Sequence, residues 1–250
     1  MNTQINIIEV NKLRTELGNQ LIHDGINFSV ERGEVFGIAG GSGSGKTTLL
    51  RAMLMLLRPT SGSIQIFNRE ITDAHPHELL AVQRRWGVLF QQNALFSSLT
   101  VLENVMFPLK EFTRLDDATI RELALLTIAL VGLPMEAVIK YPSQLSGGMQ
   151  KRAALARAIV LAPEILFLDE PTAGLDPHSA AELGQLILKL RSTMGLTIVL
   201  VTHDLDMLWH VTDRVAFLGE SKILCIDPIK KLVENPHPLI QEFFDGVWKQ

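Results

Sequence analysis

The feature that most limits the fold of this chain is a glycine-rich run between an apolar segment and a helical one. Residues 40–48 read GGSGSGKTT, with VFGIA before them and LLRAMLMLL after them. Gly40, Gly45, Lys46 and Thr47 match the pattern G-x-x-x-x-G-K-[ST] in the order of strand, loop and helix that this pattern requires. Such a loop follows the carboxyl end of a buried parallel strand. The sequence therefore predicts an α/β fold, which the alternation of short β-branched runs with helical patterns also indicates.

The same run predicts a phosphate-binding site. Glycines let backbone N–H groups approach phosphate oxygens without a Cβ in the way, and the start of the helix adds partial positive charge. Lys46 is expected to reach the β- and γ-phosphates of ATP, and the Thr47 hydroxyl to bind Mg²⁺. The predicted nucleotide-binding residues of this loop are Gly40, Gly41, Ser42, Gly43, Ser44, Gly45, Lys46, Thr47 and Thr48.

A second group of candidate residues follows four apolar residues in ILFLDEP, at 165–171. Asp169 and Glu170 place two negative charges at the end of a buried strand, which is costly unless a cation or a proton is near. Mg²⁺ carried by ATP meets that need, so Asp169 is predicted on the metal side and Glu170 as the general base for the attacking water. His203, after the apolar TIVLV, is predicted to contact the γ-phosphate or that water.

Composition bears on partners and compartment. The 250 residues carry a net charge of -4 with both signs mixed along the chain, which disfavours a nucleic-acid partner. Cys225 is the only cysteine, so it cannot form an internal disulfide, and it is expected to pack in a late strand. No signal-peptide pattern and no apolar stretch of roughly 20 residues is found, which predicts a cytoplasmic chain. The other histidines are expected at the surface: His23, His75, His77, His178, His210 and His237.

A second glycine-rich loop, LSGGMQKR at 145–152, looks like another phosphate site. It lies in a stretch, about 93–154, that is helical without a convincing strand, and we interpret this stretch as a helical lobe inserted into the sheet domain. Near the end of the chain, an apolar stripe at helical spacing predicts a short helix that packs either on its own subunit or on a partner. The stripe consists of Leu239, Ile240, Phe243, Phe244, Val247 and Trp248.

Over essentially its whole length, the chain resembles the nucleotide-binding domain of ABC ATPases. The resemblance rests on GGSGSGKTT, Gln91, LSGGMQKR, ILFLDEP, GLDP and His203, all in one order. It implies one domain over 1–250 with a P-loop NTPase fold. In that fold a RecA-like core with an antiparallel β lobe covers about 1–92 and 155–235, a helical lobe covers 93–154, and a C-terminal helix covers 236–250.

The resemblance also assigns roles. Gln91 becomes the Q-loop residue, at once a catalytic residue and a ligand of Mg²⁺, and Asp176 belongs to the D-loop. The signature motif, Ser146, Gly147 and Gly148, is expected to cover ATP held by the first loop of a second copy in a head-to-tail dimer. The sequence departs from the family pattern at Leu17, where an adenine-stacking aromatic is expected, and at Met149, where glutamine is usual.

Two further segments resemble a narrower group. NALFSSLTVLENVMFPLKE and LIQEFFDGVWKQ are similar to the ATPases of Mce-type lipid transporters, the maintenance-of-lipid-asymmetry and toluene-tolerance systems. This resemblance implies a subunit at the cytoplasmic face of the inner membrane that powers phospholipid transport between the inner and outer membranes. The implied partners are integral permease subunits, Mce-domain proteins and other lipid-transport components. Two alternatives stay open: the ATPase of a small-solute importer, for an amino acid or ion, and the soluble ABC ATPase of an iron-sulfur assembly scaffold.

Overall fold

The computed structural model describes residues 5–245. The chain divides into two compact units: Met1–Gln83 together with Thr197–Gln250, and Arg84–Leu196. The strands are β1 (Asn6–Leu17), β2 (Gln20–Glu31), β3 (Val35–Ala39), β4 (Ser61–Ile66), β5 (Arg69–Glu70), β6 (Trp86–Leu89), β7 (Ile165–Asp169), β8 (Thr197–Val201), β9 (Arg214–Gly219) and β10 (Lys222–Asp227). The α-helices are α1 (Lys46–Met53), α2 (Pro76–Gln83), α3 (Val101–Phe112), α4 (Asp117–Leu130), α5 (Gly147–Ile159), α6 (Pro177–Met194), α7 (Leu205–Val211), α8 (Ile229–Leu232) and α9 (Pro238–Asp245).

The first unit contains two sheets. One is antiparallel in the order β2-β1-β4-β5, and it begins with a hairpin in which Leu17 pairs with Gln20. In the other, β3 lies between β8 and β9 and is parallel to both, while β10 pairs antiparallel with β9. All five residues of β3 and of β8 are buried, as expected for central parallel strands covered on both faces.

The described part of the C-terminal helix packs on its own unit. Ile240 is 0% exposed and Phe244 is 4% exposed, in one cluster with Phe217 of β9 and Leu232 of α8. Partly buried Cys225, in β10, packs against the same cluster, which confirms its predicted packing role. Of the predicted apolar stripe, Val247 and Trp248 lie outside the described residues. The alternative in which the helix packs on its own subunit therefore holds for 238–245.

The second unit combines a parallel strand pair with four α-helices. β6 and β7 pair in parallel, with Trp86 opposite Ile165. Gly87 lets the main chain of α5 lie directly on β6, because a Cβ there would meet the carbonyl oxygen of Ala158. The helices α3 and α4 lie in the stretch 93–154 that is predicted to be helical, and α5 begins in it and ends beyond it, at Ile159.

The predicted α/β fold with an antiparallel sheet and a helical region is confirmed, and three elements of the first unit need correction. The sequence does not predict β2, and β1 runs to Leu17, beyond the β-branched run at 5–10 that predicts a strand. The helix after the glycine-rich loop was predicted to run to residue 57 but ends at Met53, because Met55 takes a positive φ of 54° and turns the chain. Among residues 5–245, no helix has the length and apolar character that a membrane span requires.

Candidate functional site

The first glycine-rich loop links buried β3 to α1 in the first unit. Lys46, 8% exposed, donates hydrogen bonds from Nζ to the carbonyl oxygens of Gly40, at 2.8 Å, and Gly41, at 2.9 Å. These contacts fold the side chain back over the loop, so the ammonium group is held beside the loop's main chain. Thr47 and Thr48 follow in the first turn of α1. The loop therefore gathers a cation, hydroxyls and a helix start in one place.

The loop has the properties of a phosphate cradle. Gly40 has φ 150°, and a Cβ there would meet both the carbonyl oxygen of Leu218 and Ser44 Oγ. Gly43 and Gly45 have φ of 75° and 100°, which residues with a Cβ rarely adopt. The Ser44 hydroxyl is buried without a hydrogen-bond partner, so a polar group of the loop is left to be satisfied by a ligand. These features fit a bound nucleotide phosphate, and the Thr47 hydroxyl is a hard oxygen of the kind that Mg²⁺ prefers.

His23 lies against the glycine-rich loop, and its predicted surface position is wrong. The side chain, on β2, is 0% exposed, and Nε2 lies 3.2 Å from the carbonyl oxygen of Gly45. A Cβ at Gly45 would come within 2.7 Å of Nε2, so the ring fills the space beside this glycine. Burial lowers the pKa of His23, and the hydrogen bond to Gly45 offsets part of that effect. The ring is therefore neutral at pH 7 and donates from Nε2 to the loop.

His203 comes at the carboxyl end of β8, next to the strand that enters the loop. β8 is parallel to β3, and Thr202 N–H donates to Ile38 O at 3.3 Å. His203 itself is exposed, while Asp204 begins α7 by accepting hydrogen bonds from Asp206 N–H and Met207 N–H. The first unit thus brings an exposed imidazole and the glycine-rich loop to the same ends of adjacent strands.

The acidic pair occupies the predicted place in the second unit. Asp169 ends β7 and is 5% exposed, and Glu170 follows it at 8% exposed. Glu170 has φ +46°, in the left-handed region that residues with a Cβ seldom adopt. Its carbonyl oxygen accepts a hydrogen bond from Ala173 N–H at 3.1 Å, which closes a turn after the strand. The strained residue is thus the one predicted to be the general base.

The helix α5, which follows the second glycine-rich loop, holds the segment after β6. Lys151, 3% exposed, donates to the carbonyl oxygen of Gln91 at 2.7 Å and to that of Glu170 at 3.5 Å. Arg157 donates to the carbonyl oxygens of Ala94, at 2.7 Å, and Asn93, at 3.0 Å. Burial lowers the pKa of Lys151, while the nearby charges of Asp169 and Glu170 act in the opposite direction.

The second glycine-rich loop lies beside the start of α6. The Ser146 hydroxyl caps α5 by accepting from Met149 N–H at 3.3 Å, and Asp176 caps α6 by accepting from Ser179 N–H and Oγ. These Ser179 hydrogen bonds, the side-chain one first, lower the pKa of Asp176. A cavity of about 150 Å³ adjoins the second glycine-rich loop and the start of α6, and its lining includes Ser146, Gly148, Leu175 and Ser179.

A family model described as "ABC transporter" matches residues 23–173, which include the first loop, Gln91, the second loop and the acidic pair. This chain belongs to the ABC transporter family. It is an ABC-type ATPase cassette, and the predicted fold class and ATP hydrolysis are confirmed at this level.

Two curated relatives of the cassette carry different names. The chain is 38% identical over 239 residues to the "Probable ribonucleotide transport ATP-binding protein mkl" of Mycobacterium tuberculosis, covering 96% of this chain and 66% of that protein. It is 37% identical over 242 residues to the "Intermembrane phospholipid transport system ATP-binding protein MlaF" of Escherichia coli, covering 97% of this chain and 90% of that protein. The chain thus spans less than two thirds of the length of mkl and nearly all of MlaF.

The solved dimeric cassette MJ0796 has a similar fold. It superposes with a TM-score of 0.82 at 32% identity, covering 89% of this chain and 98% of the MJ0796 chain. A further structure of MJ0796 is a dimer in a post-hydrolysis state with ADP and Pi.

Sequence reasoning missed three residues of this ABC cassette that contact predicted site residues or the loop beside one of them. His23 contacts Gly45, Lys151 contacts Gln91 and Glu170, and Arg157 holds the loop that follows Gln91. A basic residue on a helix is usually a solvated one, so Lys151 and Arg157 gave no signal by themselves. For His23 the available signal was the Gly18–Asn19 turn, which indicates a hairpin whose second strand contains this residue.

Proposed function

We propose that this cassette hydrolyses ATP to power phospholipid transport between the inner and outer membranes through a separate permease. The similarity to MlaF supports this proposal most strongly, because it extends over 97% of this chain and 90% of MlaF. The name mkl, "Probable ribonucleotide transport ATP-binding protein", favours another cargo, but the chain spans only 66% of that relative. A small-solute importer or an iron-sulfur scaffold ATPase would carry the same ATP motifs, so the motifs do not discriminate among these functions.

ATP binding is proposed for the first glycine-rich loop. Backbone N–H groups of Gly41, Ser42, Gly43 and Gly45 would bind phosphate oxygens, and the unsatisfied Ser44 hydroxyl would join them. Lys46 would turn from the carbonyl oxygens of Gly40 and Gly41 toward the β- and γ-phosphates, as in other loops of this pattern. Mg²⁺ supplies charge neutralisation on the phosphates, and Thr47, Gln91 and Asp169 are the residues proposed to hold it.

Proton transfer is proposed for Glu170. Its carboxylate would accept a proton from the water that attacks the γ-phosphorus, while the bond to the β–γ bridging oxygen breaks and ADP leaves. His203 would orient the water or the γ-phosphate, because it is exposed at the end of a strand adjacent to β3. Gln91 would link ATP to the permease, since it begins the segment that precedes α3.

A second copy is proposed to complete each ATP site. Ser146, Gly147 and Gly148 would cover the γ-phosphate held by the other copy, and Asp176 would lie at the same interface. The cavity that adjoins Ser146 and the start of α6 supports this role, because hydroxyl and backbone donors face open space there. ATP would then close the dimer and hydrolysis would reopen it.

Permease contact is proposed for α3 and the segment between it and Gln91. Phe96 is 44% exposed and Phe107 is 39% exposed, and their ring centroids lie 4.8 Å apart. An exposed aromatic pair of this kind is typical of a surface that a partner covers. The cassette would sit peripherally at the cytoplasmic face of the inner membrane, with Mce-domain proteins and other lipid-transport components in the same assembly.

The cargo is tested with the assembled transporter. We expect the cassette to co-purify from detergent-solubilised membranes with an integral permease, and the complex in proteoliposomes to move a fluorescent phospholipid only when ATP is present. Transport of a ribonucleotide or another small solute by the complex would contradict the proposal. Co-purification with soluble partners and no permease would also contradict it.

The general base is tested with Glu170→Gln. This change keeps the shape of the side chain and removes its basicity, so we expect ATP binding within about twofold of wild type and a loss of about 100-fold or more in kcat. Turnover and ATP affinity of the assembled complex are the measurements. Wild-type turnover by Glu170→Gln would remove Glu170 from the proposed mechanism.

A further inference from the structure

Lys151 is a buried cation on the helix that follows the signature loop, although the sequence around it reads as a basic surface run. Its side chain is 3% exposed, and both hydrogen bonds described for it go to main-chain carbonyl oxygens. Burying an ammonium group is costly unless acceptors replace its water shell. A position that exists only to pack α5 would favour an apolar side chain instead. The presence of lysine at this position is therefore explained by its hydrogen bonds to the carbonyl oxygens.

The two acceptors belong to residues with proposed roles in hydrolysis. The Nζ of Lys151 lies 2.7 Å from the carbonyl oxygen of Gln91 and 3.5 Å from that of Glu170. The Glu170 carbonyl also accepts from Ala173 N–H at 3.1 Å, so two donors approach the same peptide group. One side chain thus connects α5, the segment after β6 and the turn after β7.

The backbone at Glu170 needs such support. Its φ of +46° is unfavourable for a residue with a Cβ, and such a conformation persists only where the surrounding structure fixes it. The direction of the Glu170 side chain depends on this φ, since the Cα–Cβ bond is set by the backbone. A donor that fixes the peptide group after Glu170 therefore also limits where its carboxylate can point.

We propose that Lys151 is a positioning residue for ATP hydrolysis, which fixes the main chain at Glu170 and Gln91 relative to the signature helix α5. This inference rests on the proposed role of Glu170 as general base. Movement of α5 is transmitted through Lys151 to both residues, so the helix that follows LSGG is connected to the base of its own chain. Lys151 acts through Glu170 and does not touch substrate.

The test uses Lys151→Met in the assembled transporter, because methionine keeps the length of the side chain and removes every donor. We expect kcat to fall by about 10- to 100-fold, as for other small misplacements of a catalytic group, with KM for ATP within about twofold. Lys151→Arg keeps donors at this position and restores most of the activity. Lys189→Met, the same change at an exposed position on α6, is the matched control and leaves kcat unchanged.

A double-mutant comparison separates positioning from general stability. In the Glu170→Gln background there is no base left to position, so Lys151→Met adds less than about a twofold loss in single-turnover hydrolysis. Unchanged kcat in Lys151→Met, or a full additional loss on Glu170→Gln, overturns the inference. If Lys151→Met does not fold, Lys151→Leu, which is shorter and also removes every donor, takes its place, and turnover at the wild-type level again overturns the inference. Wild-type turnover by Glu170→Gln alone overturns the proposed base instead.

Discussion

His23 is unusual at the level of a single residue because a titratable ring lies buried against a glycine of the phosphate loop. Nε2 contacts the carbonyl oxygen of Gly45, while Nδ1 is buried without a hydrogen-bond partner. An unsatisfied buried nitrogen costs about 1–3 kcal/mol, and one neutral hydrogen bond contributes about 1 kcal/mol. The unsatisfied nitrogen thus opposes the contribution of the hydrogen bond to Gly45.

We predict that His23→Leu makes the stability of the chain less dependent on pH. The pKa of His23 is lowered in the folded state from its ordinary 6.5, so the unfolded chain binds more protons below that pH. The contribution of His23 to the free energy of unfolding therefore has its full value above pH 6.5. As the pH drops from 6.5 toward the folded-state pKa, the free energy of unfolding of the wild type falls by at most about 1.4 kcal/mol per pH unit. Urea denaturation at pH 7.5 and pH 5.5 measures this loss.

His23→Leu is compared with the wild type, so the histidines that both proteins share do not affect the difference between their free energies of unfolding. At pH 7.5 we expect the two proteins to differ by no more than about 1 kcal/mol, because the lost hydrogen bond and the removed unsatisfied nitrogen oppose each other. Between pH 7.5 and pH 5.5, the free energy of unfolding of His23→Leu should fall by less than that of the wild type. Equal losses in both proteins would show that His23 does not titrate against burial.

The residues proposed to bind phosphate could be predicted from the sequence, and the residues that contact them could not. The glycine-rich loop and the acidic pair are local patterns whose spacing fixes their chemistry, so Lys46, Asp169 and Glu170 follow from the sequence. Lys151 and Gln91 are 60 residues apart, and their contact depends on how α5 lies on β6. No local sequence pattern encodes that packing, so the contact of Lys151 with Gln91 could not be predicted from the sequence.

The same contrast holds for whole elements. β3, β7 and β8 are continuous apolar runs, and the sequence predicts them with nearly the observed ends. β2 was missed because His23, Asp24 and Gly25 interrupt its apolar alternation, and its pairing with β1 contains several register shifts. The two-residue turn at Gly18 and Asn19 was the available signal, since glycine with asparagine between two alternating runs indicates a hairpin.

The C-terminal helix α9 gives the prediction at this scale. Phe244 is 4% exposed in a cluster with Phe217 and Ile240, so Phe244→Ala removes a large buried side chain. We expect the free energy of unfolding to fall by about 3–5 kcal/mol. Gln241→Ala, at an exposed position of the same helix, should change it by no more than about 0.5 kcal/mol. Urea denaturation of the two variants makes the comparison.

A similar small loss in both variants would mean that α9 does not pack as described. A large loss in Phe244→Ala also changes how a truncation from Leu239 onward would be interpreted. Such a truncation would remove core contacts of the chain itself, and a lower yield of the complex would follow from instability alone. The point variants are therefore the sharper probes of this helix.

At the scale of the molecule, the groups proposed for hydrolysis are distributed over two units. The first unit holds the phosphate loop and His203, and the second holds Gln91, the acidic pair, the signature loop and Asp176. The two glycine-rich loops also differ locally. The first has glycines with positive φ and an unsatisfied hydroxyl, while Ser146 in the second is already used as a helix cap. The second loop is therefore suited to complete a phosphate site rather than to form one.

The proposed sharing of sites between two copies makes a prediction that a one-chain site contradicts. We consider tagged dimers that carry Glu170→Gln in both copies, so that bound ATP is retained. With Lys46→Ala in one copy and Ser146→Leu in the other, a head-to-tail dimer keeps one site with both loops intact. With both changes in the same copy, each shared site has lost one loop.

We expect ATP to remain bound after gel filtration only in the first arrangement, because a complete set of phosphate donors is needed for slow release. If each site were built by a single chain, the second arrangement would retain ATP in its unaltered copy and the first would retain none, so the nucleotide content of the two dimers decides between the models.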